Sequence, residues 1–205
     1  MPHVDKSPRK GSSGIPSAQS PFLETDRLIV RELKTDDWPA METMMLEPRV
    51  TRFMHLQTWE TPEGRRAWFE WTIANQTERV GGNYNWGFIV RDSNEFVGWI
   101  GIGDSDRKEL EGDRSVGFMV DPRFWRQGFM TEALTAVLDH EFSVLGVSRV
   151  IATCEVENVA SARVMEKAGM QFLRTMYDAD PLEGNYAERH HYALERGGTG
   201  NSPKL

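Results

Sequence analysis

Phe118-Met119-Val120-Asp121-Pro122-Arg123-Phe124-Trp125-Arg126-Gln127-Gly128-Phe129-Met130-Thr131-Glu132-Ala133 is the stretch on which the reading of the chain turns. An apolar run stops at Asp121-Pro122, because proline cannot continue a strand ladder. A short loop with one glycine follows. Leu134, Val137, Leu138, Phe142 and Leu145 then recur at helical spacing, which predicts a helix over 131–145 stopped by Gly146. A strand that passes through a glycine loop into a helix start gathers unpaired N–H groups and the positive end of the helix dipole. Such a point attracts an anion, and a pyrophosphate fits it. Arg123 and Arg126 can add charge to the same rim. On these residues alone a plain loop glycine beside solvated arginines is the competing reading. Neither common nucleotide fingerprint is present: no G-x-x-x-x-G-K-[ST] occurs, and Gly101-Ile102-Gly103 lacks a third glycine and a following helix.

Outward from this stretch, Leu28 to Leu33 reads as a first strand. Thr35, followed by Asp36 and Asp37, reads as the cap of a helix through Met45. Thr61-Pro62-Glu63 opens a second helix, with Ala67, Trp68, Trp71 and Ala74 on one side and the tryptophans read as core. Trp86 to Arg91 and Phe96 to Ile102 form a hairpin through Asp92-Ser93-Asn94-Glu95, and Ser115 to Val120 is the next strand. Downstream come a strand at Arg149 to Cys154 and a helix at Asn158 to Ala168, with Asn158 as N-cap and Gly169 as C-cap. Strands at Gln171 to Tyr177 and Tyr186 to Leu194 close the domain. The order implies an α/β fold whose mixed, mostly antiparallel central sheet has about six to seven strands, with helices on both faces.

The chain has 205 residues, which fits one domain over 22–196. Residues 1–21, rich in Ser, Pro, Gly and Lys, read as a disordered leader, and 197–205 as a disordered tail. Hydrophobic content of 39%, with ten Phe and seven Trp, suffices for a core. No apolar run approaches the roughly 20 residues that span a bilayer. The N-terminus lacks an apolar signal region, so a cytoplasmic location and no membrane partner are expected. One cysteine, Cys154, and five histidines exclude a disulfide framework and make a metal site unexpected. A net charge of -7 argues against nucleic acid as a partner. It suits a cationic partner, or simply solubility.

Trp125 to Ala133 resembles the acetyl-CoA loop of the GNAT superfamily, in the branch similar to the ribosomal-protein N-terminal acetyltransferases. Asn158-Val159-Ala160-Ser161 with Glu166-Lys167-Ala168-Gly169-Met170 resembles that branch's N-x-x-S…E-K-x-G-F segment, and Glu24-Thr25-Asp26-Arg27-Leu28 its opening strand. The likeness covers Phe22 to Arg196. Three ordered motifs are far more specific than one glycine loop. Departures occur at Trp125 (usually Gln or Arg), Met130 (usually small), Met170 (usually Phe) and Met165, where other branches place a tyrosine proposed as general acid.

The resemblance implies direct acetyl transfer from acetyl-CoA to an amine, on a protein N-terminus or a small molecule. It implies that the main chain of Phe118, Met119 and Val120 meets the pantetheine arm, in a cleft opened by splaying from the strand at Arg149 to Cys154. Arg126, Gln127, Gly128, Phe129, Met130 and Thr131 would hold the pyrophosphate, largely by backbone amides. Ser161 matches the serine that bonds the departing thiolate, with Asn158 nearby; both can equally serve as helix caps. Asp180 is the implied general base and Glu155, just past the central strand, its competitor. Cys154 has no visible base and sits in an apolar strand, so it is not read as a nucleophile. His190 and His191 point to opposite faces of a strand and carry no assigned role. A catalytically silent acyl-CoA sensor is the rival reading, a nucleotide-binding fold a weaker one, and monomer or homodimer stays open.

Overall fold

The computed structural model describes residues 22–54, 57–78, 82–105, 113–179 and 186–196. The expected leader, the expected tail and Asp180 lie outside them. The strands are β1 (Phe22–Glu24), β2 (Leu28–Glu32), β3 (Tyr84–Val90), β4 (Phe96–Asp104), β5 (Arg114–Val120), β6 (Arg149–Glu155), β7 (Gln171–Ala179) and β8 (Tyr186–Glu195). They form one sheet in the order β1-β2-β3-β4-β5-β6-β8-β7. Every neighbouring pair is antiparallel except β5–β6, so the sheet is mixed and mostly antiparallel, as expected. Among the described residues it has eight strands rather than six or seven. The addition is β1, whose three residues are too few to show an alternation and which is held by pairing Phe22 to Glu24 with Arg31 to Ile29.

The helices are α1 (Trp38–Leu46), α2 (Pro48–Thr51), α3 (Pro62–Glu78), α4 (Phe129–Ser143) and α5 (Val159–Lys167). Strand alternation sorts the apolar side chains to two faces. On one face Trp86, Ile100, Val116, Ala152 and Tyr192 share a core with Leu134 and Leu138 of α4 and Met165 of α5. On the other, Leu33, Trp99 and Met119 share a core with Met41 and Met44 of α1 and Phe69 of α3. Each fully buried side chain such as Leu134 or Leu138 contributes about 1.5–3 kcal/mol of transfer free energy.

Two local expectations are corrected. The inward stripe of α3 is Arg65, Phe69, Thr72 and Gln76, not the side carrying Ala67, Trp71 and Ala74; Trp71 is 61% exposed. Hydrogen bonds make the polar stripe tolerable, Arg65 donating to the Trp59 carbonyl at 2.6 Å and Gln76 to that of Leu33 at 3.0 Å. Trp68 alone of the expected pair reaches the core, edge-on to Trp59 and Trp99. Thr35 does not cap the first helix either: Thr35–Asp37 is a 3₁₀ turn, and α1 begins at Trp38. Asp37 closes the turn by accepting the Lys34 amide at 2.7 Å while it pairs with Arg31 at 2.8 Å.

Candidate active site

The parallel ladder between β5 and β6 lasts for two pairs, Arg114 with Val150 and Ser115 with Ile151. Beyond them the strands diverge, each still paired on its outer edge: β5 with β4 as far as Val120, and β6 with β8 as far as Glu155. The inner edge of β5 over Val116 to Val120 is therefore without a β6 partner. Phe118 and Val120 turn their side chains toward the α4 core and Met119 toward the opposite one; the Met119 carbonyl faces Gly98 of β4, so the main-chain groups that reach the cleft are those of Phe118 and Val120. Trp125 closes one end, its indole N–H donating to the Val120 carbonyl at 2.8 Å.

At the end of this strand Asp121 accepts the Arg123 amide at 2.9 Å and begins a 3₁₀ turn, Pro122–Phe124. The chain then passes through Arg126 (φ 62°) and Gly128 (φ 83°), two left-handed residues flanking Gln127. No side chain caps α4, whose first carbonyl-bonded amide is that of Glu132, reaching Gly128 at 3.0 Å. The amides at the start of the helix are thus without intrahelical partners. Phe129 and Met130 bury their side chains, and Thr131 is half-buried. Side chains in and amides out is the disposition expected for anion binding by main chain. Arg126 is exposed beside it. Arg123 does not join the rim as expected, because Asp121 holds its guanidinium at 2.8 Å.

The loop has an anchor that the sequence motif contained but its mechanics did not reveal. Arg27 donates to the Gln127 carbonyl at 3.0 Å, lies over the Phe129 ring at 4.4 Å and pairs with Glu132 at 2.6 Å. Thr25 donates to the same carboxylate at 2.5 Å, and the Arg27 amide at 3.0 Å. Burial raises the Glu132 carboxyl, but the hydrogen bonds from Thr25 and Arg27 outweigh it and leave its pKa below the usual value. A cavity of about 380 Å³ lies on the other side of the loop, lined by Thr43, Met44, Glu47, Arg49, Asp121, Pro122 and Arg123. Its charges cancel in the pairs Glu47–Arg49 and Asp121–Arg123, so it shows no preference for a cationic partner.

On the far wall, Asn158 caps α5 by accepting the Ser161 amide at 3.2 Å. The Ser161 side chain lies near the buried Cys154 thiol. Burial pushes that thiol up to about 11, despite the Arg189 charge and the Ser161 hydroxyl. Glu155 pairs with Arg189 at 3.3 Å. The two histidines do face opposite ways: His190 meets Thr175 at 2.8 Å and Phe172 edge-on, whereas His191 is buried with Asp178 at 3.3 Å. Tyr192 donates to Glu166 at 3.2 Å, and burial with that carboxylate pushes its hydroxyl up to about 12. Among the described residues no group of three or more His, Cys, Asp or Glu is arranged to hold a metal, and no helix is long and apolar enough to cross a membrane.

The sequence profile of the acetyltransferase (GNAT) domain matches residues 27–171. YoaA of Bacillus subtilis (strain 168), named an uncharacterized N-acetyltransferase, is 34% identical over 151 residues, which are 74% of this chain and 83% of YoaA. A solved GNAT-family acetyltransferase from Bacillus anthracis superposes with a TM-score of 0.68 at 26% identity, covering 85% of this chain and 98% of that one. RimL, a ribosomal alpha-N-protein acetyltransferase solved in complex with coenzyme A, superposes with a TM-score of 0.69 at 20% identity over 85% of this chain and 98% of its own, a likeness of fold.

Proposed function

The chain belongs to the GNAT acetyltransferase family, and from that premise we propose that it transfers the acetyl group of acetyl-CoA directly to a primary amine, foremost a protein N-terminal α-amine and otherwise a small-molecule amine. The observation that carries the proposal is the open inner edge of β5 running into the uncapped start of α4. In this reading the inner edge of Phe118 and Val120, on either side of Met119, pairs through its main chain with the pantetheine arm. The amides around Arg126, Gln127, Gly128, Phe129, Met130 and Thr131 take the pyrophosphate, where the helix dipole favours negative charge. The amine nitrogen attacks the thioester carbonyl, the C–S bond breaks, and Ser161, at the foot of α5 with Asn158, donates to the departing thiolate. The proton released from nitrogen goes to a base, for which Asp180 and Glu155 are the carboxylates proposed.

Two arguments support a direct route and an α-amine. A thiol held near 11 is almost wholly protonated at neutral pH, so Cys154 is a poor relay for the acetyl group. An α-amine with a pKa of about 7.7–8.0 is roughly a quarter neutral near pH 7.4, against about one in a thousand for lysine. RimL, of the same fold, is by its name an alpha-N-protein acetyltransferase. The test is release of free CoA thiol from acetyl-CoA with a peptide whose N-terminus is free, compared with the same peptide blocked at its N-terminus and carrying lysine. Release with the free peptide alone is expected. Release confined to the blocked peptide refutes the α-amine reading.

A further inference from the structure

Across the mouth of the cleft one row of residues lies on the sheet face opposite α4 and α5. Ser115 pairs with Ile151, so two residues further along each parallel strand Gly117 stands level with Thr153 where the ladder has opened. Gly117 in turn pairs with Gly101, Thr153 with His191, and His191 with Arg174. Cys154 packs in the core beneath α4 and α5, so Thr153 and its partner His191 project from the other face, the one that carries Met119 and Trp99. On that face Gly117 is exposed, and a Cβ there would meet nothing within 4 Å. The row thus offers open room above β5, a hydroxyl across the gap, and behind it a buried imidazole whose Nε2 lies 3.3 Å from Asp178. Among the described residues, the other charged groups of this patch on the same face are Glu155 and Arg189, 3.3 Å apart, and Arg174.

Resting on the reading of acetyl transfer to an amine, we propose that the hollow over Gly117 seats the acceptor nitrogen and that His191, beside Asp178 and reached across the gap past Thr153, takes its proton in place of the carboxylates Asp180 and Glu155. The nitrogen forms the new N–C bond as the C–S bond of the thioester breaks. The proton leaves nitrogen for the imidazole, and the electron pair of the broken bond leaves on sulfur. An imidazole, with an ordinary pKa of about 6.5, is matched to this task near neutrality, and an adjacent carboxylate both orients the ring and favours the imidazolium that forms. The absence of a side chain at Gly117 sets the room for the acceptor.

The experiment compares wild type with His191→Gln, Asp178→Asn and Asp180→Asn, recording kcat/KM against pH from 6 to 9.5. The assay follows CoA thiol with a free-N-terminus peptide and with a small primary amine, and separately measures the slow acceptor-free hydrolysis of acetyl-CoA. CoA affinity by calorimetry serves as a check on the fold. His191→Gln is expected to keep CoA affinity and to lose on the order of 100-fold in kcat/KM at pH 7, the size of a general-base effect, with the gap narrowing as the amine deprotonates itself above pH 9. Asp178→Asn is expected to give a smaller loss and a displaced acid limb. Hydrolysis in the His191→Gln protein is expected to fall as well, since water in the same hollow needs the same base. A His191→Gln pH profile that overlays wild type, with the acid limb abolished by Asp180→Asn instead, overturns the proposal. Wild-type protein that turns over neither amine but hydrolyses acetyl-CoA in a His191-dependent way sinks the acceptor reading and leaves the assignment of the base standing.

Discussion

Replacing Gly128 with valine tests the proposed pyrophosphate loop directly. Gly128 holds φ at 83°, a region in which a β-branched residue is strained by about 1–3 kcal/mol. A Cβ there would sit 3.4 Å from Arg27 Nη2. That guanidinium cannot easily retreat, because it is tied to the Gln127 carbonyl and to Glu132. Strain is relieved by rotating the peptide planes on either side of residue 128, which turns the helix-start amides away from the anion. Each charge-assisted N–H bond to a phosphate oxygen contributes about 1.5–3 kcal/mol, so losing two amounts to about 3–6 kcal/mol. At about 1.4 kcal/mol per tenfold, CoA affinity should fall by at least about 100-fold. The control is Gly146→Val, at the far end of α4: φ is 68° and nothing lies within 4 Å of a Cβ. Both variants should lose about 4–8 °C in Tm for about 2 kcal/mol of strain in a domain of this size. Only Gly128→Val should lose CoA in a calorimetric titration. Wild-type affinity in Gly128→Val, or equal losses in the two variants, refutes the assignment of the loop.

Glu132→Gln should weaken CoA binding by about two- to fivefold, the range of one partly exposed ion pair, because it loosens Arg27 from the loop. Since the folded Glu132 pKa is depressed, its contribution to stability is present above the ordinary value of 4.5 and lost as pH falls through the folded one, so the variant's Tm should be flatter than wild type on the acid side. Cys154→Ala should retain transfer, and wild-type Cys154 should resist iodoacetamide below pH 9, as mass spectrometry of the alkylated protein can show. His140, stacked edge-on against Trp86 and Tyr84, is lowered in pKa by burial and therefore held neutral. The stability this contributes is complete above its ordinary 6.5 and declines as pH drops below it, so the Tm difference between wild type and His140→Phe should shift against wild type between pH 7 and 5.

How far the fold was legible depended on whether a position obeys a local rule. Asn158 and Gly169 bracket α5 as a cap and a left-handed stop, both readable because the backbone demands those residue types. Seven strands showed as alternating or β-branched runs, and the eighth was too short to alternate. The face of α3 was not legible, because its inward stripe carries Arg65, Thr72 and Gln76, whose burial depends on carbonyls supplied by Trp59 and Leu33 from elsewhere in the chain. In the site, Gly128 announces itself by its loop, whereas the clamp of Thr25 and Arg27 on Glu132 joins residues more than 100 positions apart. The same holds for the proposed base His191 and its neighbour Asp178, whose meeting depends on how the β7–β8 hairpin pairs. Alternation alone sets only that His190 and His191 part company, not which of them faces the cleft.

What makes the cleft is a contrast between the two ends of one ladder. At the closed end Arg114 is buried, bonded to Glu141 at 3.1 Å and Asp104 at 3.1 Å, and Arg149 pairs with Asp113 at 3.2 Å and Glu195 at 3.1 Å. Burial raises the Glu141 carboxyl, and the charge of Arg114 opposes that rise. Breaking such a buried pair costs about 3–5 kcal/mol, so β5, β6 and the C-terminal part of α4 are held in one place there. At the open end the outer ladders to β4 and β8 continue while the inner one has stopped. Main-chain donors and acceptors left unpaired are costly wherever water cannot reach them. On the proposed reading, a fold that pins one end of a ladder and keeps the other apart retains that inner edge for a partner with amide groups of its own, beside a helix start that favours anions. A plain loop glycine would need neither the pin at Arg114 nor the clamp at Arg27, and the presence of both is the reason to assign the edge and the loop to one extended ligand.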